Sequence, residues 1–318
     1  MSFTNRDKSA LSLTFSKPYN PETPMKILRA DFDNISVKPQ SAIIRKIVGD
    51  QEIIEVRYDP AKPLKEGFHL LFIVAGSKQS KKFSSILIKV DKGYDSKRIT
   101  TREEMSNIFN HLSEKRSKVR TLDAKFTLNI KAEREDSKLA RDFQGKVMFT
   151  GWDNFDFTLA CEPKTKISGR KLIWPDWEKD FSRNERDKRE LLKHTPVNPV
   201  YYTPYDDLME YYSWNIYKEK NGKLFIWGGY KEHKLPLPTL VELVIDKNNW
   251  LLDEINTYIR GGGIVSTKTL LEYDEKGIPI KQSMERCLID GTREKSVFSF
   301  TGIEINKRQL PRKTLFEI

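Results

Sequence analysis

The four histidines are the side chains best suited to acid–base catalysis or metal binding, and they are scattered along the chain. His69, His111, His194 and His233 form no H-x-x-H or H-E-x-x-H pattern, and none has a cysteine at metal-ligand spacing. Histidines without such a pattern usually lie at the surface or make structural hydrogen bonds. We therefore predict no metal site and no cofactor.

Sequence motifs for nucleophilic catalysis and phosphate binding are also missing. The chain contains no G-x-S-x-G elbow, no Walker A sequence and no G-x-G-x-x-G fingerprint. The three glycines at 261–263 lie between two strand patterns, which is typical of a hairpin loop. Paired acids such as Asp206 and Asp207 are expected by chance among 45 acidic residues. We predict no catalytic residue, and a hydrolase with two facing carboxylates is the least favoured alternative.

Aromatic residues are frequent between Trp174 and Trp214, where they could stack on bases or sugars. A nucleic-acid-binding protein concentrates its positive charge on one face or helix. Here the net charge of +11, from 56 basic and 45 acidic residues, is spread over the whole chain. We therefore predict aromatic packing, no nucleic-acid partner and only a weak attraction to an anionic membrane surface.

The chain has two cysteines, Cys161 and Cys287, which excludes a disulfide-rich scaffold and a cysteine-rich metal site. Both lie in strand patterns. Two buried thiols are the first interpretation, and a bridge across neighbouring strands is the alternative.

Residues 1–92 have the pattern of an all-β module. Short apolar runs, such as the alternating residues 11–15, are separated by turn residues every 8 to 15 positions or so. This spacing favours a β-sandwich. Residues 56–60, 68–72 and 86–90 resemble the last strands of Ig-like modules in bacterial envelope proteins, so we expect residues 1–92 to be such a module.

A polar linker at residues 91–97 precedes the clearest helix signal in the chain. Thr101 and Glu104 have capping-box spacing. Met105, Ile108, Phe109 and Leu112 then recur at helical spacing, and Val119 and Leu122 extend the same apolar face. We predict a helix that begins at Thr101 and a second domain over residues 93–318.

Strand patterns follow the helix. Phe126, Leu128 and Ile130 alternate with polar residues, and a second series of strands runs from residue 240 to residue 305. Turns at residues 275–277 and 290–291 join consecutive strands as hairpins. A long amphipathic helix followed by a meander indicates an antiparallel sheet wrapped over a helix.

Several pieces of residues 100–318 resemble the LolA-type superfamily of lipoprotein carriers and lipid-binding proteins. They are the helix running into the first strand, residues 145–149 and 154–157, residues 243–247 and residues 273–279. The ending is the most specific piece, because a strand runs into Asn306 and is followed by Leu310–Pro311 and Leu315–Phe316. The resemblance covers about two thirds of the chain.

The resemblance implies a mainly β (α+β) chain, in which the Ig-like β-sandwich is followed by a half-open antiparallel β-barrel with a helical lid. The interior of such a barrel is apolar and accommodates acyl chains. The candidate ligand-binding residues are therefore the apolar residues of the helix and the alternating strands, with two tryptophans: Met105, Phe109, Leu112, Phe126, Leu128, Phe149, Phe155, Phe157, Leu159, Trp174 and Trp214.

The function implied is that of a non-enzymatic bacterial envelope protein that binds a lipid, a lipoprotein acyl chain or another apolar ligand. The alternative is a protein-interaction or envelope-stress sensor domain with the same fold and another envelope protein as its partner. The expected location is the periplasm or cell envelope, although residues 1–30 contain no apolar h-region and no cleavage site.

Overall fold

The computed structural model describes residues 2–4, 11–18, 21–22, 26–32, 35–36, 41–58, 67–76, 81–90, 100–134, 137–149, 154–159, 165–170, 175–176, 199–202, 205–231, 238–258, 264–289 and 291–306. The chain divides into two compact units, Met1–Ser96 and Lys97–Ile318. The predicted boundary, after residue 92, lies just before this division.

The N-terminal unit consists of strands in two sheets. The orders are β1-β8-β7-β3-β4 and β2-β6-β5, and all pairs are antiparallel except β1 with β8. The predicted strands of this region are confirmed, and the Ig-like assignment stays a prediction. The strands are β1 Ser2–Thr4, β2 Leu11–Pro18, β3 Lys26–Phe32, β4 Ile35–Ser36, β5 Ser41–Val48, β6 Gln51–Tyr58, β7 Gly67–Gly76 and β8 Lys81–Val90.

The C-terminal unit begins with the predicted helix, α1, over Arg102–Ser117. Thr101 is its N-cap, and the Thr101 hydroxyl accepts a hydrogen bond from the Glu104 backbone N–H at 3.1 Å. The predicted extension of the helical face through Val119 and Leu122 is wrong. Both side chains are buried, but α1 ends before them, and Leu122 is the first residue of the following strand.

The strands that follow α1 form one open antiparallel sheet of twelve strands, in the order β13-β12-β11-β10-β9-β20-β19-β18-β17-β16-β15-β14. The predicted mainly β fold with a large antiparallel sheet is therefore confirmed. The strands are β9 Leu122–Arg134, β10 Ser137–Phe149, β11 Asn154–Leu159, β12 Thr165–Arg170, β13 Pro175–Asp176, β14 Tyr212–Lys220, β15 Lys223–Tyr230, β16 Leu240–Asp246, β17 Leu251–Tyr258, β18 Ile264–Tyr273, β19 Pro279–Leu288 and β20 Arg293–Ile305.

Three details of this unit differ from the sequence prediction. Two short helices, α2 over Pro199–Tyr202 and α3 over Tyr205–Tyr211, occupy part of the aromatic stretch. The β14–β15 hairpin was not predicted; it turns at Asn221 and Gly222, which both have positive φ. Finally, the sequence pattern predicts two strands over residues 278–284 and 286–289, whereas the structure has a single strand there, β19 over Pro279–Leu288.

One face of the sheet packs against α1. On β9 the buried side chains alternate with exposed ones, so Leu122, Ala124, Phe126, Leu128 and Ile130 line that face. These side chains belong to one apolar cluster together with the buried stripe of α1. Register shifts at β-bulges occur within the sheet, and open sheets of more than about ten strands curl. No helix in the described residues is both long and apolar enough to span a membrane.

The end of β20 is tied to the loop between α1 and β9 through Asn306. Its Oδ1 accepts a hydrogen bond from Arg120 N at 2.8 Å, and its Nδ2 donates one to Lys118 O at 2.7 Å. Asn306 has φ 54°, a left-handed conformation that asparagine tolerates better than most residues. The asparagine of the terminal motif therefore has a structural role, while residues 307–318 lie outside the described part of the chain.

We expect the substitution Asn306→Gly to lower the free energy of unfolding by about 1–2 kcal/mol, because glycine keeps the backbone conformation but loses the side-chain hydrogen bonds. Asn221→Gly is the matched control, because Asn221 has φ 53° in an exposed hairpin turn. Urea denaturation checks both variants. Equal stability of the two would contradict a structural role of the Asn306 side chain.

Candidate functional site

Several predicted ligand-binding residues lie in the interface between α1 and the sheet. Each is at most 2% exposed and belongs to the same apolar cluster. Phe126 also makes an edge contact with Phe298 of β20, with 4.9 Å between the ring centroids. These side chains pack against one another as core residues: Met105, Phe109, Leu112, Phe126 and Leu128.

The predicted positions on β10 and β11 are in register with this face of β9. Phe149 pairs with Leu122 and with Phe155, and Phe157 and Leu159 occupy the next two rows. The register therefore places all four positions on the face that carries Phe126. Their side chains, like the whole of Trp174, lie outside the described part of the structure.

Trp214 of β14 differs from the other candidates because it is only partly buried and lies on the edge strand. Its indole Nε1 donates a hydrogen bond to Leu208 O at 2.8 Å, which ties β14 to α3. Its ring is nearly perpendicular to that of Phe109, with 5.2 Å between centroids and an interplanar angle of 78°. It also covers Gly228, the residue opposite it on β15.

A pocket of about 540 Å³ opens between the start of α1, α3 and β14. This volume is in the range of small-molecule binding sites. Its apolar lining is formed by Met105, Met209, Tyr212 and Trp214. Of the predicted residues whose side chains the structure describes, the pocket includes only Met105 and Trp214. Met209 and Tyr212 were missed because the alternation and helical periodicity of the sequence do not extend over the short helix α3 and the start of β14.

Polar contacts hold the walls of this pocket in place. The Thr100 hydroxyl accepts a hydrogen bond from Ile216 N at 2.9 Å and donates one to Asn215 Oδ1 at 2.5 Å. At the other wall, Lys231 Nζ donates to the carbonyl oxygens of Met209, at 3.2 Å, and Glu210, at 3.0 Å. The start of α1 and the end of α3 are therefore both fixed to the β14–β15 hairpin.

The mouth of the pocket is charged. Arg102, Asp206, Glu210 and Lys231 line it, and all four are exposed. No ion pair joins any of these side chains to another within the described residues. The pocket thus combines an apolar floor with a charged rim.

The other end of α1 carries a cluster of tyrosines around Arg116. The Arg116 guanidinium lies 4.2 Å from the ring centroid of Tyr205 and 5.1 Å from that of Tyr201. Tyr273 donates a hydrogen bond from its hydroxyl to Leu252 O at 2.8 Å. Only about 30 Å³ of space remains between these groups, so we interpret the cluster as a packed anchor for α1 and α2.

Burial raises the pKa of Tyr201 and of Tyr205, although the charge of the Arg116 guanidinium opposes the rise. Burial likewise raises the pKa of Tyr273 well above its ordinary value. Desolvation disfavours the charged tyrosinate in each case. These tyrosines are therefore neutral over the physiological pH range and serve packing rather than acid–base chemistry.

One buried ion pair lies on the α1-facing side of the sheet. Arg286 Nη2 of β19 is 2.6 Å from Glu294 Oε1 of β20, and both residues are buried. Burial lowers the pKa of Arg286, while Glu294 opposes that effect. Arg286 and Glu294 are paired across the two strands, and each charge neutralises the other in the buried environment.

Within the described residues, the other side chains that could do chemistry form no cluster able to hold a metal ion. His69 is 8% exposed within the buried strand β7, so it is a structural rather than a surface histidine. His111 is exposed and stacks on Trp250, with ring centroids 4.3 Å apart. Cys287 is buried, with Sγ 3.9 Å from Leu288 O. The remaining candidates lie outside the described part of the chain: His194, His233, Cys161 and the glycines at 261–263.

Alanine at Gly228 tests the packing of Trp214. A Cβ atom there would lie 2.6 Å from Trp214 Cε3, so the ring would have to move. We expect Gly228→Ala to lower the free energy of unfolding by about 1–3 kcal/mol. At the neighbouring Gly229 the nearest atom would be 3.4 Å away, so Gly229→Ala should change stability by less than about 0.5 kcal/mol. Denaturant titration of both variants is the measurement, and equal effects would refute the close contact.

The tyrosine cluster predicts a loss of stability at alkaline pH. Because the pKa values of Tyr201, Tyr205 and Tyr273 are raised in the folded state, the folded protein holds its protons more tightly than the unfolded chain does. Their contribution is complete below the unfolded pKa of about 10 and is lost as pH rises above it. The free energy of unfolding should therefore fall as the pH is raised above about 10. The fall should be less steep in the Tyr201→Phe variant than in the unmodified protein. An identical fall in that variant would contradict this role.

Comparison with known proteins gives matches in structure but not in sequence. No protein-family model and no curated protein matches the chain. A LolA superfamily protein from Nitrosomonas europaea aligns over 65% of this chain and 94% of its own, with 14% identity and a TM-score of 0.44.

Two further solved structures are similar to the same extent. A DUF1329 family protein from Desulfovibrio piger aligns over 67% of this chain and 96% of its own, with 11% identity and a TM-score of 0.44. A candidate outer membrane lipoprotein-sorting protein domain from Vibrio parahaemolyticus aligns over 66% and 96%, with 11% identity and a TM-score of 0.44.

Proposed function

We propose that the C-terminal unit is a non-catalytic binding module for the apolar part of a lipid or lipidated protein. The observation that carries this proposal is the pocket of about 540 Å³ between α1, α3 and β14. Its floor consists of two methionines and two aromatic residues. Methionine is unbranched and polarisable, so such a floor adapts to flexible chains.

The gain from binding an acyl chain is large enough to need no catalytic or covalent help. Each methylene removed from water contributes about 0.8 kcal/mol. A chain that buries six to eight methylenes therefore gains roughly 5–6 kcal/mol before the cost of immobilisation. The charged rim keeps the polar end of such a ligand in contact with water.

The compartment and the partner belong to the same proposal. The sequence motifs of the C-terminal unit resemble those of lipoprotein carriers and lipid-binding proteins of the bacterial envelope, which supports a periplasmic or envelope location. A lipid or a lipidated protein is the proposed partner, and the N-terminal unit is proposed to be an Ig-like module that contacts another envelope protein.

A protein-interaction or sensor role is the second candidate. It is favoured by the close packing of Phe109 and Leu112, which leaves these candidate residues inside the core. In that case the pocket would hold a side chain of a partner rather than an acyl chain, and purified protein would retain no lipid.

The substitution Met209→Glu tests the binding proposal, because it places a carboxylate on the floor of a pocket that is otherwise lined there by apolar groups. We expect affinity for a fluorescent fatty-acyl probe to fall at least about tenfold, since a charge beside the chain costs more than 1.4 kcal/mol. Fluorescence titration is the measurement, and Met209→Leu should retain binding.

The matched control is Leu270→Glu, which adds the same charge at a leucine that is 41% exposed on β18. It should bind the probe like the unmodified protein. Equal binding by Met209→Glu and Leu270→Glu, or no probe binding by the unmodified protein, would overturn the proposed function.

A further inference from the structure

The rim of the pocket carries opposite charges at separate places. Arg102 lies at the start of α1, whereas Asp206 and Glu210 lie on α3. Lys231 is engaged with the carbonyl oxygens at the end of α3. Within the described residues no ion pair links Arg102 to either acid, although all three line the same opening.

Two of these charges lie at helix ends where the helix dipole disfavours them. The N-terminal end of a helix is partially positive, so Arg102 in the first turn of α1 is unfavourable there. The C-terminal end is partially negative, so Glu210 near the end of α3 is unfavourable as well. Helix stability therefore does not account for either residue type at its position.

The two acids of α3 also repel each other. Asp206 and Glu210 are four residues apart on one helix and therefore face the same side, where like charges are destabilising. Both side chains are exposed at the pocket mouth. A cation placed between them would remove this repulsion and would be recognised by two carboxylates at once.

We propose that the pocket selects an amphiphile with a zwitterionic headgroup, whose ammonium group lies between Asp206 and Glu210 and whose phosphate faces Arg102 and the start of α1. This inference rests on the proposed function, because the acyl chain of the same ligand occupies the apolar floor. The ligand class is a phospholipid or lysophospholipid that carries a primary ammonium group.

Charge complementarity favours this headgroup over simpler ones. A purely anionic headgroup would be attracted by Arg102 but repelled by Asp206 and Glu210. A purely cationic headgroup would be attracted by Asp206 and Glu210 but repelled by Arg102. An uncharged headgroup would make no ion pair with any of the three side chains. Only a headgroup with both signs satisfies the two sides of the rim together.

The test compares three lipids with the same single acyl chain, used as competitors of the fluorescent probe. They are lysophosphatidylethanolamine, lysophosphatidylglycerol and an uncharged monoacylglycerol. We expect the zwitterionic lipid to bind at least about tenfold more tightly than the other two. In the double variant Asp206→Asn/Glu210→Gln, the zwitterionic and anionic lipids should bind equally well.

Arg102→Gln should weaken the zwitterionic and anionic lipids and leave the uncharged lipid unchanged. The matched control pair is Glu275→Gln and Lys276→Gln, which removes one charge of each sign from the exposed hairpin between β18 and β19. These controls should keep the full headgroup preference. Thermal unfolding of every variant verifies that the fold is retained.

The outcomes separate this inference from the function on which it rests. Equal binding of the three lipids by the unmodified protein overturns the headgroup inference and leaves acyl binding intact. A zwitterion preference that persists in the double variant overturns the assignment to Asp206 and Glu210. If the probe binds but none of the three lipids displaces it, the headgroup inference is overturned. If the probe itself does not bind, the proposed function is overturned as well.

Discussion

The contact of Phe109 with Tyr205 and Trp214 is the interaction on which the C-terminal unit depends. The Phe109 ring stacks on Tyr205, with centroids 5.4 Å apart, and is nearly perpendicular to the Trp214 ring, with centroids 5.2 Å apart. It joins α1 to α3 and to the edge strand of the sheet. Because Phe109 is 2% exposed, this triad removes a large aromatic area from water. Where the triad ends, towards the start of α1, the helices and the sheet separate and the pocket opens.

The contact of Phe109 with Tyr205 and Trp214 also explains why the core and the pocket lie next to each other. The apolar stripe of α1 is continuous, yet only its first buried residue, Met105, reaches the pocket, while Phe109 and Leu112 are enclosed. At the opposite end, Arg116 and its tyrosines fill the space between helix and sheet. The helix is therefore anchored at one end and leaves room for a ligand at the other, without any break in its own structure.

Local patterns in the sequence were sufficient to predict α1 and most of the strands. Period-two alternation located β9, and the Thr101–Glu104 cap spacing located the start of α1. The pocket could not be predicted in this way, because its residues come from α1, α3 and β14, which are far apart in sequence. Met209 and Tyr212 belong to a short helix and an edge strand with no sustained periodicity. The Asn221–Gly222 pair is typical of a hairpin turn and indicates the β14–β15 hairpin. The charged residues before this pair interrupt the apolar alternation of β14, so the strand was not predicted.

The central claim is that an acyl chain occupies the floor between α1 and α3. Photo-crosslinking with a fatty acid that carries a diazirine near its methyl end, followed by peptide mass spectrometry, tests it most directly. The account predicts labelling of the peptides that contain Met105 and Met209, and loss of the label when unlabelled lipid is added in excess. Labelling confined to other parts of the chain, or labelling that excess lipid does not reduce, would contradict it.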